Sequence, residues 1–291
     1  MKKMVTGYQW QGRKKKRKQE FVVAALIVVF TAILIFCAIQ LSDYQAQQRE
    51  AKESDASLRA IKENAGLPSF TEAPGENVSI LPSAQSVSSE SFLEENNAGA
   101  EDEAAIRAAR FTALQERNPD IVGWLTMDGI DEAVVQRDNV FYLDHDADLK
   151  RNINGALFLD AIIRLPNHPK VIIIYGHNMH SGAKFGSLYK FEDEKYLQAH
   201  QLIRFESAAD RGEYEIFSAG TVSTDKGAEN YLDIFALTSE EEGERMNALQ
   251  TIAAVSAVDC KVDVKGSDVI LLLITCVDHD EERRIVAAKK I

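Results

Sequence analysis

The sequence predicts a mainly β domain of α+β type, a barrel or sandwich of short strands, carried behind one membrane-spanning helix. Three observations predict it. Nine short apolar or alternating runs separated by turn signals fill the carboxyl-terminal part of the chain. A stretch of 21 uncharged residues lies near the amino end. The polar segment between them holds too little apolar surface to offset the entropy of ordering it.

The membrane helix is Phe21 to Leu41, polar only at Thr31 and Gln40. Rising 1.5 Å per residue, it spans about 30 Å, the thickness of the hydrocarbon layer. Arg13-Lys-Lys-Lys-Arg-Lys18 stands before it, and Asp43 and a net acidic stretch follow. Positive charge stays inside, so residues 1–20 form a basic cytoplasmic terminus and the carboxyl-terminal bulk is exported. A cleaved signal peptide and a lipoprotein signal are the rival readings. No small-x-small site closes the run, and bulky Phe36 precedes Cys37 where a lipidated cysteine would follow a small residue. The reading is an uncleaved anchor.

Residues 42–100 are rich in Ser, Glu, Ala, Asn and Pro, with prolines at 68, 74 and 82. They read as a flexible extracellular linker, helical near Tyr44–Lys62. Order resumes with the domain 101–291. A helical pattern over Glu101–Glu116 carries Ile106, Ala109, Ala113 and Leu114 and stops before Asn118-Pro119. The predicted strands are Ile121–Met127, Ala133–Gln136, Ala156–Leu159, Val171–Tyr175, Leu202–Glu206, Glu213–Val222, Leu232–Ala236, Val269–Cys276 and Arg284–Ala288. A helix over Thr238–Val255, opened by an acidic first turn, interrupts them.

Charge excludes one class of partner. The chain carries −12 overall, but residues 1–20 hold eight Lys/Arg against one Glu, a balance of +7 that leaves −19 for the rest. An exported domain so acidic is not a nucleic-acid binder.

Three cysteines, Cys37, Cys260 and Cys276, are too few for a disulfide framework or a four-ligand zinc site. Cys276 ends an almost wholly apolar strand, where a side chain leaves the rigid sheet. A buried packing role is the plain alternative. A disulfide to Cys260 across the Val264–Asp268 turn is another, though Cys260 reads as a small apolar residue in its own run. His177 ends a second buried run, and strand-end Cys and His suit nucleophile and acid/base. His177-x-x-His180 lacks a third ligand at a recognisable spacing, so no metal is expected there. Arg283 and Arg284 enter the last strand on opposite faces, and alternation alone does not choose between them.

Several motifs together resemble the sortases, membrane-anchored cysteine transpeptidases of Gram-positive bacteria, and class B sortases most. They are Tyr175-Gly-His-Asn-Met179 with Phe185-Gly-Ser-Leu188, Leu273-Ile-Thr-Cys276, and an arginine eight positions after the cysteine. Gly123-Trp-Leu, Val135-Gln with Asn139 and Tyr142-Leu143, and Gly155-Ala-Leu-Phe-Leu-Asp160 join them. The family's Thr-Leu-x-Thr-Cys strand begins with Leu272 instead of Thr.

The resemblance implies a closed β-barrel of about eight strands, with the Glu101–Glu116 helix before it and the Thr238–Val255 helix before the cysteine-bearing strand. It implies His177, Cys276 and Arg284 as catalytic residues, and Asn139, Leu143, Tyr231 and Thr275 as substrate-groove residues. The implied reaction cleaves a sorting motif of secreted proteins after Thr, through a thioester on Cys276, and passes the acyl group to a cell-wall amine. No cofactor or metal is expected, and acidic residues such as Glu192-Asp-Glu194 read as a solvated face rather than a calcium site. The alternatives are a hydrolytic cysteine peptidase, a pilin-polymerising enzyme and a non-catalytic surface binding module.

Overall fold

The computed structural model describes residues 5–65, 89–276 and 281–291. Part of the expected linker, residues 66–88, and the short acidic loop 277–280 lie outside them. The chain divides into two units, residues 1–50 and 51–291. In the first, the apolar run is part of helix α1 (Val5–Asn64), and its large side chains are exposed from Phe21 to Leu41. That helix is long and apolar enough to cross a membrane.

The second unit starts within α1. The expected linker begins as helix as far as Asn64, spanning the Tyr44–Lys62 stretch where a helix was expected. Ala51, Ser54, Leu58 and Ile61 recur at helical spacing, and the first three are buried. Helix α2 (Ser89–Arg117) contains the expected 101–116 helix and buries Phe111 and Leu114, while Ile106 stays exposed. Leu58, Phe111 and Leu114 form one apolar cluster with Trp124, Val135, Tyr142 and Phe158.

The strands are β1 (Ile121–Met127), β2 (Ile130–Val135), β3 (Leu157–Leu159), β4 (Val171–His177), β5 (Leu202–Ser207), β6 (Arg211–Ser223), β7 (Ile270–Cys276) and β8 (Glu282–Lys290). They close into a barrel in the order β1-β2-β3-β4-β7-β8-β6-β5. Helix α3 (Glu194–Ala199) precedes β5, and α4 (Ile234–Leu237) and α5 (Glu242–Ala254) lie between β6 and β7. Eight of the nine expected strands form. The ninth, Leu232–Ala236, does not, because the Asp233 carboxylate accepts the backbone N–H groups of Phe235 and Ala236 and caps α4 instead.

β4 and β7 pair in parallel, and β7 pairs antiparallel with β8. Ile172, Ile174, Leu271, Leu273, Val286 and Ala288 fill the barrel interior. Val171, Ile173, Ile270, Leu272, Ile274, Ile285 and Ala287 pack outside it, with Leu249 and Ile252 of α5. Burial on both faces is why these strands read as continuous apolar runs rather than alternating ones.

Candidate active site

β4 and β7 stay in register from Val171 opposite Ile270 to His177 opposite Cys276. The two candidate groups thus end neighbouring strands at one level, although about a hundred residues separate them in sequence. His177 falls in the alternate series of Val171 and Ile173, on the outer side of the barrel wall.

The imidazole of His177 is held from the opposite side. Its Nε2 lies 2.6 Å from the Leu143 carbonyl oxygen. A carbonyl only accepts, so Nε2 carries the proton and Nδ1 is the nitrogen left for chemistry. Leu143 is placed by a short 3-10 turn, Phe141–Leu143, whose Tyr142 is buried. The Asn118 amide donates to the Tyr142 hydroxyl (3.0 Å), and that hydroxyl donates to Asp120 (2.7 Å). Burial, reinforced by Asp120, pushes the Tyr142 hydroxyl well above its ordinary pKa, so it remains a donor.

Gly155 closes the same corner at φ +58, a region open to glycine. A Cβ there would clash with the Tyr142 carbonyl oxygen and lie 2.9 Å from the Leu143 carbonyl oxygen and 3.2 Å from His177 Cδ2. Gly155→Ala is therefore expected to cost about 1–3 kcal/mol of stability. It should also lower kcat by displacing the carbonyl that orients the imidazole. Thermal unfolding together with steady-state rates checks this, and an unchanged kcat would contradict it.

The two arginines take opposite faces. β8 pairs Ile285 with Ile274 and Val286 with Leu273. On the other side of β8, Arg283 pairs with Val222 of the outer cluster, and Arg284 with Thr221. Arg284 lies in the series of Val286 and Ala288, and its Nε donates to Glu192 (2.6 Å) in the 3-10 turn Leu188–Glu192, whose Leu188 and Phe191 plug the barrel interior. Its backbone N–H donates to Thr275 Oγ1 (3.0 Å). With Asn178, His180, Lys190 and Glu192, Arg284 lines a cavity of about 780 Å³.

The expected groove residues separate. Leu143 presents its carbonyl to His177. Asn139 is exposed, and its Oδ1 accepts the N–H of Ala161 (2.9 Å). Tyr231 is half-buried and bridges to Ser223 beyond β6. Thr275 is fully buried with its hydroxyl bonded to the Arg284 backbone of β8, so it braces the strand pair. Glu192, read from sequence as solvated, holds Arg284. Cys260 is a free thiol, so no disulfide joins it to Cys276. It packs against the barrel-interior cluster, and burial pushes its pKa up.

A closed eight-stranded barrel with Cys and His ending adjacent parallel strands is the architecture of a cysteine acyl-transfer enzyme. The chain belongs to the sortase family, whose domain profile matches residues 125–291. It is 34% identical over 185 residues to Sortase B of Listeria monocytogenes, covering 61% of this chain and 72% of that protein. It is 28% identical over 187 residues to Sortase B of Staphylococcus aureus, covering 62% and 74%. Among solved structures, sortase B from Bacillus anthracis in complex with AAEK2 superposes with TM-score 0.62 at 26% identity, covering 84% of this chain and 96% of that one. S. aureus Sortase B superposes with TM-score 0.59 at 25% identity, covering 69% and 96%. The chain is thus a sortase-family cysteine transpeptidase whose relatives are class B enzymes.

Proposed function

We propose that this transpeptidase is held in the plasma membrane by residues 21–41, amino end inside, and acts outside the cell on secreted proteins bearing a carboxyl-terminal sorting motif. The observation that carries the site is the register of His177 with Cys276 at the ends of two buried parallel strands. The Cys276 thiolate attacks the carbonyl after the motif's threonine. The C–N bond breaks, His177 protonates the departing amine, and a thioester remains on Cys276. An acceptor amine then attacks the thioester and returns its proton to His177, which regenerates the thiolate. Support for both substrates comes from relatives: one solved structure is a S. aureus sortase B–substrate complex, and another is Sortase B complexed with triglycine. A cell-wall amine is the proposed acceptor.

The cation comes from the start of β8. The family resemblance implies Arg284, and its place supports that reading: with Asn178 and His180 of the loop after His177, Arg284 lines one cavity, its Nε donating to Glu192. Arg284 is therefore the proposed donor to the developing oxyanion, held in position by Glu192. An arginine suits the donor's role because its planar fork is permanently charged.

Product analysis tests the reaction. Incubating the full chain with a threonine-containing sorting peptide and triglycine should give the ligated peptide. Hydrolysis without ligation would favour a cysteine peptidase, and ligation only to a lysine side chain would favour a pilin-polymerising enzyme.

A further inference from the structure

The loop that follows His177 closes on itself. Asn178 bridges to Lys184, and the Phe185 N–H donates to the His177 carbonyl (3.0 Å), so both ends of residues 178–184 meet at the histidine. Lys184 makes that closure at φ +53, a conformation a non-glycine residue holds only when its surroundings fix it.

What fixes it is a buried ion triad. The Lys184 side chain is 4% exposed, and its Nζ lies 2.6 Å from Glu132 of β2 and 3.1 Å from Asp55 of α1. An ammonium is driven out of an apolar site unless it is paired and hydrogen-bonded. Burial alone would lower its pKa, but Glu132 and Asp55 reverse this and hold it above the ordinary lysine value. The three residues come from α1, the barrel wall and the loop that follows the histidine. Nearby, Arg59 of α1 pairs with Asp131 (2.7 Å), so two adjacent β2 residues receive charge from, or share it with, this helix.

We propose that Asp55, Lys184 and Glu132 form a positioning latch for His177, through which residues 51–64 of α1 hold the loop that follows the histidine. The stretch after the apolar span is then a working part of the catalytic unit. Asp55 touches no reacting atom; it acts through Lys184 on the loop and so on the imidazole. This rests on His177 being the proton-transfer group.

The test uses the full chain in detergent, with Asp55→Asn and Asp55→Glu compared for sorting-peptide ligation and for amide exchange. Asp55→Asn removes one carboxylate from a partly exposed position and leaves Lys184 paired with Glu132. The latch predicts a kcat lowered roughly tenfold or more with KM nearly unchanged, since small misplacement of a catalytic group is costly. It also predicts faster exchange confined to residues 178–185, with β4 and β7 unaltered, and wild-type behaviour for Asp55→Glu. Unchanged kcat and exchange in Asp55→Asn would overturn it. So would equal losses in the two variants, or a lowered melting temperature with kcat intact. If wild type fails to ligate at all, the catalytic reading falls, and exchange at 178–185 still decides whether the latch exists.

Discussion

Replacing Cys276 with alanine is expected to remove ligation, by on the order of 10⁴-fold or more, since loss of a nucleophile leaves only binding and electrostatic contributions. The expectation comes from the position of the residue. Cys276 ends β7 in register with His177, beyond six residues of strand packed on both faces. A rigid strand pair fixes the two backbones, and alanine removes the sulfur without adding bulk. The variant should therefore fold, with the wild-type melting temperature, and should still bind sorting peptide. A thiol-directed alkylator should label the wild type at Cys276 and suppress its activity in proportion. A binding module that uses this cysteine only for packing would show the opposite pattern, with function intact and no labelling.

The second large effect is expected at the arginine pair, where neighbouring residues should differ by more than tenfold. Arg284→Ala should lower kcat by about 10²–10³, the usual cost of losing an oxyanion donor. It also leaves Glu192, 30% exposed in its side chain, without its cation in the turn that plugs the barrel, so some stability should be lost as well. Arg283→Ala should change kcat little. Both side chains are charged and adjacent, so an effect of general charge would be equal at the two positions. Equal losses, or the larger loss of kcat at Arg283, would contradict the assignment.

The difference between these arginines illustrates what the sequence could and could not convey. Strand composition marks β4, β7 and β8, because Val171–Ile174 and Ile270–Ile274 are apolar at every position, a pattern that follows from burial on two faces. The chemical groups at strand ends were legible for the same reason. Which arginine serves the site depends on how β8 sits against its neighbours, and no local pattern states a register between strands. The misread strand Leu232–Ala236 has a local cause in the Asp233 cap, which outweighs the apolar alternation beside it. In the polar segment after Leu41 the helix near Tyr44–Lys62 was legible, but its docking was not. That docking comes from Asp55 and Arg59 meeting Lys184 and Asp131, partners more than seventy residues away. Glu192 was hidden in the same way, since Arg284 lies 92 positions along the chain.

The central claim is that Cys276 carries the acyl group between two substrates. Intact-protein mass measurement of the full chain, mixed with a library of threonine-containing peptides and no added amine, tests it most directly. The account predicts a mass increase equal to the peptide fragment ending at threonine, mapped to Cys276, absent in Cys276→Ala and discharged by triglycine to a ligated product. A covalent fragment on any other residue, or turnover of peptide by Cys276→Ala at the wild-type rate, would contradict it.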